Sequence, residues 1–499
     1  MIDTASSATR RPQTHLCDSI PARGSCSAGV RRLYLINPSN PLVSIVNERK
    51  SWWNRCRVWK PLGLMVIAGL TGEDWEITII DENVGVPDYS SMPRPDLVGI
   101  TAFTSQAARA YELASRFRHH GTPVVIGGIH ATMRREEASR YADAVVIGEA
   151  EGVWRQVLED VRHGGLRRWY EGGFADMDEM PVARHDLVDG KYAFGSIQTT
   201  RGCPLNCSFC SVTSFNGTRF RQRPIEHVIR ELKHVKEKRV LIVDDNLIGT
   251  RHEHIERAKD LFRAMIRADL KKAWVAQSTI NVADDNELLA LAAAAGCSGL
   301  FIGFESPRPD GLKELSGKGA LCRCSELGAA VRRIQEHGIL VAGSFIIGLD
   351  GDKPGIGRTI ADTAERYGVD FVNVLFLTPL PGTRLWEEME AQERIALDEF
   401  PEDWSYFSLT YPVAHFRRLT LKEATGEMLS CSRRFYSIPR ILRRLWRNIR
   451  RGQSLRIGLA GALSYRRNIQ IDRDTLREFE ARRGCRPSVV DNGVEGSLA

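Results

Sequence analysis

Nowhere in these 499 residues is there an apolar run near the ~20 residues that a membrane-crossing helix needs. A charged start, a short apolar stretch and a small-residue cleavage site are also missing, so no secretory signal is legible. A disulfide framework is a further absence. Of 11 cysteines, Cys17, Cys26, Cys56, Cys297, Cys431 and Cys485 are scattered, as in a protein of the reducing cytoplasm. Cys322-Arg-Cys324 is closer, but a pair between helices makes a poor site and reads as ordinary thiols. Excess charge is small: 69 Lys and Arg against 62 Asp and Glu leave +7. No RNA-binding signature stands beside that charge, so nucleic acid is not an expected partner. Residues 1–29 lack any apolar pattern and are expected to be a disordered leader. What remains is long enough for two or three cored domains.

Against this scatter, three cysteines crowd into eight residues, Cys203-Pro-Leu-Asn-Cys207-Ser-Phe-Cys210. Structural zinc wants four protein ligands, so the triad alone does not close a zinc site. It suits a [4Fe–4S] cluster, whose fourth iron would stay open to an outside ligand. Ordinary buried cysteines, or half of a zinc site completed elsewhere, are the alternatives.

The triad opens a run of strand–helix units. Ser196–Thr200 reads as a strand feeding the cysteine loop, and Pro224 starts a helix whose buried face is Ile225, Val228, Ile229, Leu232 and Val235. Val240–Val243 is a strand ending in Asp244-Asp245-Asn246, and Thr250 with Glu253 predicts a capping box on the next helix. Trp274–Gln277, Gly299–Phe304, Leu340–Ile347 and Phe371–Leu377 complete six units over about 180 residues, near the ~30-residue period of βα repeats. Such alternation predicts a parallel sheet covered by helices, with ligands at the C-terminal strand ends. Residues 30–165 read as a separate doubly wound α/β domain of five strands, ending at Asn37, Asp81, Thr101, Gly127 and Gly148. A linker is expected over 166–194, the second α/β core over 195–395 and an extension over 396–499.

The C-x3-C-x2-C spacing, with Phe209 before the last cysteine, resembles the cluster loop of the radical S-adenosylmethionine (SAM) enzymes. The preceding domain resembles the cobalamin-binding domains fused in front of such cores. The resemblance covers about residues 31–395. It implies a Rossmann-like cobalamin domain followed by a partial (β/α)6 barrel, with Cys203, Cys207 and Cys210 on the [4Fe–4S] cluster. It assigns Phe209, Asp245, Glu305 and Gly343 to SAM. For cobalamin it suggests Asn83, Thr101, Thr104, Gly127, Gly128, Gly148 and Glu149. Family cobalamin domains often carry Asp-x-His-x-x-Gly, whose His lies beneath cobalt; here the stretch is Asp81-Glu-Asn83-Val-Gly85, so that ligand does not carry over. A degenerate domain that only positions substrate is the alternative.

The resemblance implies a methyltransferase acting on an unactivated carbon. One SAM would methylate cobalamin, and a second would yield a 5′-deoxyadenosyl radical that activates the substrate for methyl capture. A cobalamin-dependent cyclase or rearrangement enzyme without methyl transfer is the rival. A methylthiotransferase and a non-catalytic iron–sulfur protein are further ones. The implied partners are a small-molecule, lipid, tetrapyrrole or peptide substrate and an electron donor such as flavodoxin or ferredoxin.

The tail differs in kind. From Arg433 to Arg451 there are eight arginines and no acid, interleaved with apolar residues at helical spacing. This basic amphipathic helix could rest on an anionic membrane as a peripheral contact, or bind an acidic substrate or partner. The reading preferred on sequence packs the apolar stripe on the barrel and leaves the arginines in water. Trp404, Tyr406, Phe407 and Tyr411 either close the barrel mouth or pack it.

Overall fold

The computed structural model describes residues 30–40, 42, 59–188, 192–315, 326–450 and 455–484. The leader 1–29 and Cys17, Cys26, Cys56, Cys322, Cys324 and Cys485 lie outside the described residues.

Strands β1 (Arg31–Asn37), β2 (Trp75–Asp81), β3 (Leu97–Thr101), β4 (Val124–Gly127), β5 (Ala144–Gly148) and β6 (Trp169–Gly173) form the first sheet. All pairings are parallel, in the order β2-β1-β3-β4-β5-β6. Helices α1 (Leu62–Leu70), α2 (Ala107–His119), α3 (Ile129–Met133), α4 (Arg135–Tyr141) and α5 (Trp154–Arg162) accompany it. Alternate residues of β1 go to opposite faces. Leu33 and Leu35 join Ile67, Ala68, Trp154 and Val157, whereas Tyr34 and Ile36 join Ala110, Ala114 and Phe117. Helices on both faces explain why these strands are nearly continuous apolar runs. The strand order reverses between β1 and β3, which opens a crevice at their C-terminal ends. The sheet has six strands rather than the expected five. β6 lies inside 166–194, the stretch expected to be a linker, where buried Tyr170 and two glycines gave only a short strand signal.

The second sheet runs β7 (Gly195–Ile197), β10 (Arg239–Ile242), β11 (Ala273–Ser278), β12 (Cys297–Glu305), β13 (Leu340–Ile347) and β14 (Phe371–Phe376), all parallel and in sequence order. Between its first two strands, β8 (Thr200–Arg201) and β9 (Arg221–Gln222) make a small antiparallel ribbon. The intervening helices are α6 (Ser211–Asn216), α7 (Ile225–His234), α8 (His252–Arg267), α9 (Asn286–Ala294), α10 (Pro309–Glu314), α11 (Leu327–Glu336), α12 (Ile356–Tyr367) and α13 (Arg384–Ala391). Leu300, Ile302 and Phe304 of β12 pack outward in the core, while Phe301, Gly303 and Glu305 line an inner cavity. Residues of β11 to β14 line this one cavity, so the sheet curls around it, and it stays open because β7 and β14 are its two edges. Asp285 and Thr383 cap α9 and α13, each accepting a backbone N–H. The capping box expected from Thr250 and Glu253 does not form: α8 starts at His252, with Arg251 at its N-cap and no side-chain cap.

Helices α14 (Leu421–Phe435), α15 (Ile438–Arg450) and α16 (Leu455–Gly484) follow, and Thr420 with Glu423 builds a true capping box on α14. On α15 the expected burial is met only in part: Ile441 is buried and Leu445 packs against the core, but arginines share that inward face. Arg440 and Arg444 turn inward to Asp362 at 2.7 Å and Glu365 at 2.9 Å on α12, and Arg447 donates to the Gly368 carbonyl at 2.8 Å. Ile438, Leu442, Trp446 and Ile449 face outward. The acids and the carbonyl end of α12 explain the inward arginines, because both attract cations. The aromatic cluster before α14 packs: Trp404, Phe407 and Tyr411 are buried, and the Trp404 indole donates to Glu137 of α4 at 2.8 Å.

Candidate active site

The cysteine loop leaves β8 at Gly202 and ends at α6. Gly202 has φ 84°, and a Cβ there would strike the backbone carbonyls of Arg219, Asn216 and Gly217. Only glycine relieves both constraints. Asn206 adds a second left-handed residue at φ 49°, a conformation that asparagine tolerates best among residues with a side chain. Cys203, Cys207 and Cys210 all border one cavity of about 230 Å³ at the C-terminal ends of the second sheet.

Asp245 follows β10 and lines the same cavity. Its carboxylate accepts from the Gly202 N–H at 3.0 Å and from the Asn216 amide at 2.9 Å, so it ties down both ends of the cysteine loop. Burial raises its pKa, opposed by these hydrogen bonds. Its neighbour Asp244 is fully buried and grips Thr199 through the backbone and the hydroxyl. Burial pushes its carboxyl up to about 6. Asp244 therefore holds the lead-in to the loop rather than a ligand.

Glu305 ends β12 at φ 60°, beside a register shift against β13, and lines the cavity. A left-handed glutamate is costly, and such strain concentrates at working sites. Phe209 lines the cavity as well. Gly343 does not. A Cβ on it would meet Phe304 at 3.0 Å and Val369 at 3.3 Å, on the outer face of the sheet. Its side-chain direction is thus away from the cavity to which the resemblance assigned it. The inward residues of β13 are Ser344 and Ile346. Sequence reasoning passed over Ser344, although the period of two along β13 pointed to it, and over Gln277, Ser278 and Thr279, where β11 ends.

At the crevice of the first sheet, Thr101 and the Gly127-Gly128 turn are adjacent. Gly128 has φ 91°, and a Cβ there would lie 2.7 Å from the Thr101 hydroxyl and 3.0 Å from the Ala102 nitrogen. Thr104 is buried in the turn that precedes α2, leaving Phe103 as the exposed side chain of that loop, at 66%. Asn83 spends its amide on Asp81 at 2.9 Å and the Pro38 carbonyl at 3.2 Å, bridging the ends of β1 and β2. Gly148 has φ 77° and faces Gly173, and its N–H goes to the Thr132 hydroxyl at 2.9 Å.

Glu149, expected at the cobalamin site, is engaged by the second domain. It is 3% exposed and accepts from Arg201 at 2.6 Å, from Arg221, and from the Ala175 N–H at 2.9 Å. Burial alone would raise its pKa, yet Arg221 and Arg201 hold it below the usual carboxylate range. Arg201 is also paired with Glu151 at 2.6 Å, and it immediately precedes Gly202 and Cys203. Glu149 is thus a clamp from the first domain onto the cysteine loop. Further ties converge at the same level. Asn40 donates to the Ser405 carbonyl at 2.9 Å, and Met133 packs against Gly382. The C-terminal edges of the two sheets face one another.

The residues fit the implied groups unequally. Among the described residues no three His, Cys, Asp or Glu converge on a single ion. A cube that gives each thiolate its own iron asks for no such convergence, so the three cysteines on one cavity wall suit it. The cavity beside them, polar at Asp245, Glu305 and Ser344 and apolar at Phe301, Ile346 and Leu375, suits SAM. The glycine-turned crevice suits a corrin held with no histidine at position 83.

Comparison with known proteins agrees with this geometry. The family model for the radical SAM superfamily matches residues 197–362, and that for the B12 binding domain matches residues 56–158. The bacteriochlorophyllide d C-12(1)-methyltransferase of Chlorobaculum tepidum is 29% identical over 402 residues, 77% of this chain and 84% of that protein. An uncharacterized methyltransferase of Pyrococcus horikoshii is 30% identical over 421 residues, 77% of this chain and 89% of that protein. The radical SAM methyltransferase TsrM of Kitasatospora setae, solved with cobalamin and a [4Fe–4S] cluster, superposes with a TM-score of 0.58 at 21% identity, covering 74% of this chain and 79% of that one. With both domains matched in this order and a relative aligned over most of its length, the chain belongs to the cobalamin-dependent radical SAM enzymes, whose cofactors are a [4Fe–4S] cluster, SAM and cobalamin.

Proposed function

We propose that this protein is a C-methyltransferase that moves a methyl group from SAM, by way of cobalamin, to an unactivated carbon of a small-molecule substrate. The observation that carries the reading is the convergence of the cysteine-lined cavity with the glycine-turned crevice of the first sheet. When bound, the cluster and SAM supply a carbon-centred radical and cobalamin carries the methyl group. The chain's own residues hold and shield. Asp245 and the Glu149–Arg201 pair fix the cysteine loop from two sides. Glu305 and Ser344 offer polar atoms to the amino acid and ribose parts of SAM, and Phe209 offers a ring to adenine. Phe301, Ile346 and Leu375 exclude water, which protects a reactive radical from quenching. A flavodoxin or ferredoxin as electron donor belongs to the same reading.

Product stoichiometry tests it. The reconstituted, cobalamin-loaded enzyme should release S-adenosylhomocysteine and 5′-deoxyadenosine in equal amounts for each methylated product. A ring-closing or rearranging enzyme would release 5′-deoxyadenosine without S-adenosylhomocysteine, and that result would sink methyl transfer while leaving the radical chemistry.

A further inference from the structure

Helix α15 packs Ile441 and Leu445 on the core and turns a second apolar stripe away from the protein. Ile438, Leu442, Trp446 and Ile449 recur at one face of the helix and are 56%, 60%, 57% and 57% exposed. Leu459 and Leu463 of α16, which packs beside α15, are 40% and 50% exposed and extend the apolar area. The polar side of α15 is already spent, since Arg440, Arg444 and Arg447 are turned onto α12. Stability of the fold therefore gives no reason for four large apolar side chains in water.

The charge around the stripe has one sign. Between Glu427 and Asp472 there are eleven arginines and no acid. The Arg450 guanidinium lies 3.9 Å from the centre of the Trp446 ring, which puts a cation at the level of the stripe. At the N-terminal end of α15 a shallow cavity of about 400 Å³ is walled by Arg358, Arg433, Arg434 and Arg440 with Ser430 and Ser437. Asp362 pairs with Arg434 and Arg440, which leaves Arg358 and Arg433 on the wall outside that pairing. The Arg440 Nη1 is buried with no hydrogen-bond partner. Guanidiniums and hydroxyls in a concave wall make a receptor for phosphate oxygens.

We propose that α15 docks this protein on an anionic membrane surface. In that arrangement the stripe Ile438–Leu442–Trp446–Ile449 enters the interfacial layer and the arginine cavity takes a lipid phosphate. An in-plane helix with apolar residues on one side, arginine on its flanks and a tryptophan at the boundary has the make-up of an interfacial anchor. A second copy of the chain fits worse, because apposing two such faces would bring arginine against arginine. The inference is independent of the chemistry proposed above.

Co-sedimentation of the reconstituted, full-length protein with vesicles tests it. Vesicles of phosphatidylcholine containing a quarter phosphatidylglycerol should bind the protein, pure phosphatidylcholine should not, and added salt should weaken the binding. Leu442→Gln with Trp446→Gln should lower partitioning by about tenfold or more, as expected for withdrawing two large side chains from an apolar phase. Arg358→Gln with Arg433→Gln should lower it too and flatten its salt dependence. Both variants alter exposed or rim side chains, so their melting temperatures and their SAM cleavage in solution should match the parent. Failure of the parent to bind the anionic vesicles overturns the proposal, as does equal binding by both variants. Stabilisation by inorganic phosphate without vesicle binding, or a dimer that Leu442→Gln with Trp446→Gln dissolves, overturns it in favour of a free-anion site or a self-interface.

Discussion

Replacing Glu149 by glutamine removes one charge from the junction of the two domains. The carboxylate is almost fully buried and serves Arg201 at 2.6 Å, Arg221 at 3.0 Å and the Ala175 N–H at 2.9 Å. Glutamine keeps the shape and one acceptor, but turns an NH2 group toward a guanidinium. Breaking a buried ion pair from one side costs about 3–5 kcal/mol. Here Arg201 retains Glu151 and Arg221 retains the carbonyls of Ala175 and Asn216. The loss should therefore fall near the lower end, about 3 kcal/mol, or roughly 6–12 °C in the melting transition of a domain of this size. Because Arg201 leads directly into Gly202 and Cys203, iron content and SAM cleavage should fall with stability, the latter by about 10- to 100-fold. The acid limb gives a second check. The Glu149 pKa is lowered in the fold, so its contribution is complete above the unfolded value of ~4.3 and is lost as pH falls through the folded one. The variant should lack that part of the parent's acid sensitivity. Thermal unfolding, iron analysis and corrin absorbance are measured together. A variant that melts and binds iron like the parent but loses corrin would refute the clamp and return Glu149 to the cobalamin site.

Three further outcomes follow from the same geometry. Alanine at Cys203, Cys207 or Cys210 should abolish both the cluster's visible absorbance and SAM cleavage, and any variant that still cleaves SAM would remove that cysteine from the ligand set. Gly343→Ala should cost about 1–3 kcal/mol through its contacts with Phe304 and Val369 while leaving the KM for SAM unchanged, whereas Ser344→Val should raise that KM. A raised KM for Gly343→Ala beside an unchanged one for Ser344→Val would mean that the two faces of β13 have been exchanged here. Asn83→Ala should lose about 1 kcal/mol with the bridge to Asp81 and Pro38 and keep its corrin, and loss of corrin on gel filtration would contradict that role.

The parallel strands of both sheets were legible because each is a short apolar run that ends in small or polar residues, and the cysteine triad was legible from spacing alone. Strand β6 was not: five residues with two glycines carry little pattern, and only pairing with β5 makes Trp169–Gly173 a strand. Gly343 drew attention as a glycine near a strand end. Its face follows from counting by two from Ile346, a reading that the sequence permits. Glu149 was placed at a strand end correctly, but a carboxylate there serves whatever cation the rest of the fold brings. The arginines that claim it are 52 and 72 positions away in the chain. The inward arginines of α15 have the same origin. Its amphipathic pattern states that two faces differ, and the acids of α12 draw arginines onto the inward one.

The cysteine loop is held by groups from both sides of the domain boundary, and this bears on how the two halves work together. Asp245 fastens Gly202 from the barrel, while Glu149 and Glu151 fasten Arg201 from the first domain. Glu149 itself follows Gly148 at the end of β5, on the same C-terminal edge of the first sheet that carries the crevice. A ligand that settles the crevice therefore acts on the same backbone that positions the first cysteine. Two sites joined through so short a buried network should not bind independently, since any gain in order at one is a reduced ordering cost at the other. Corrin binding should accordingly tighten SAM binding and SAM should tighten corrin by the same factor, and loosening the Glu149–Arg201 pair should diminish that coupling before it abolishes either affinity.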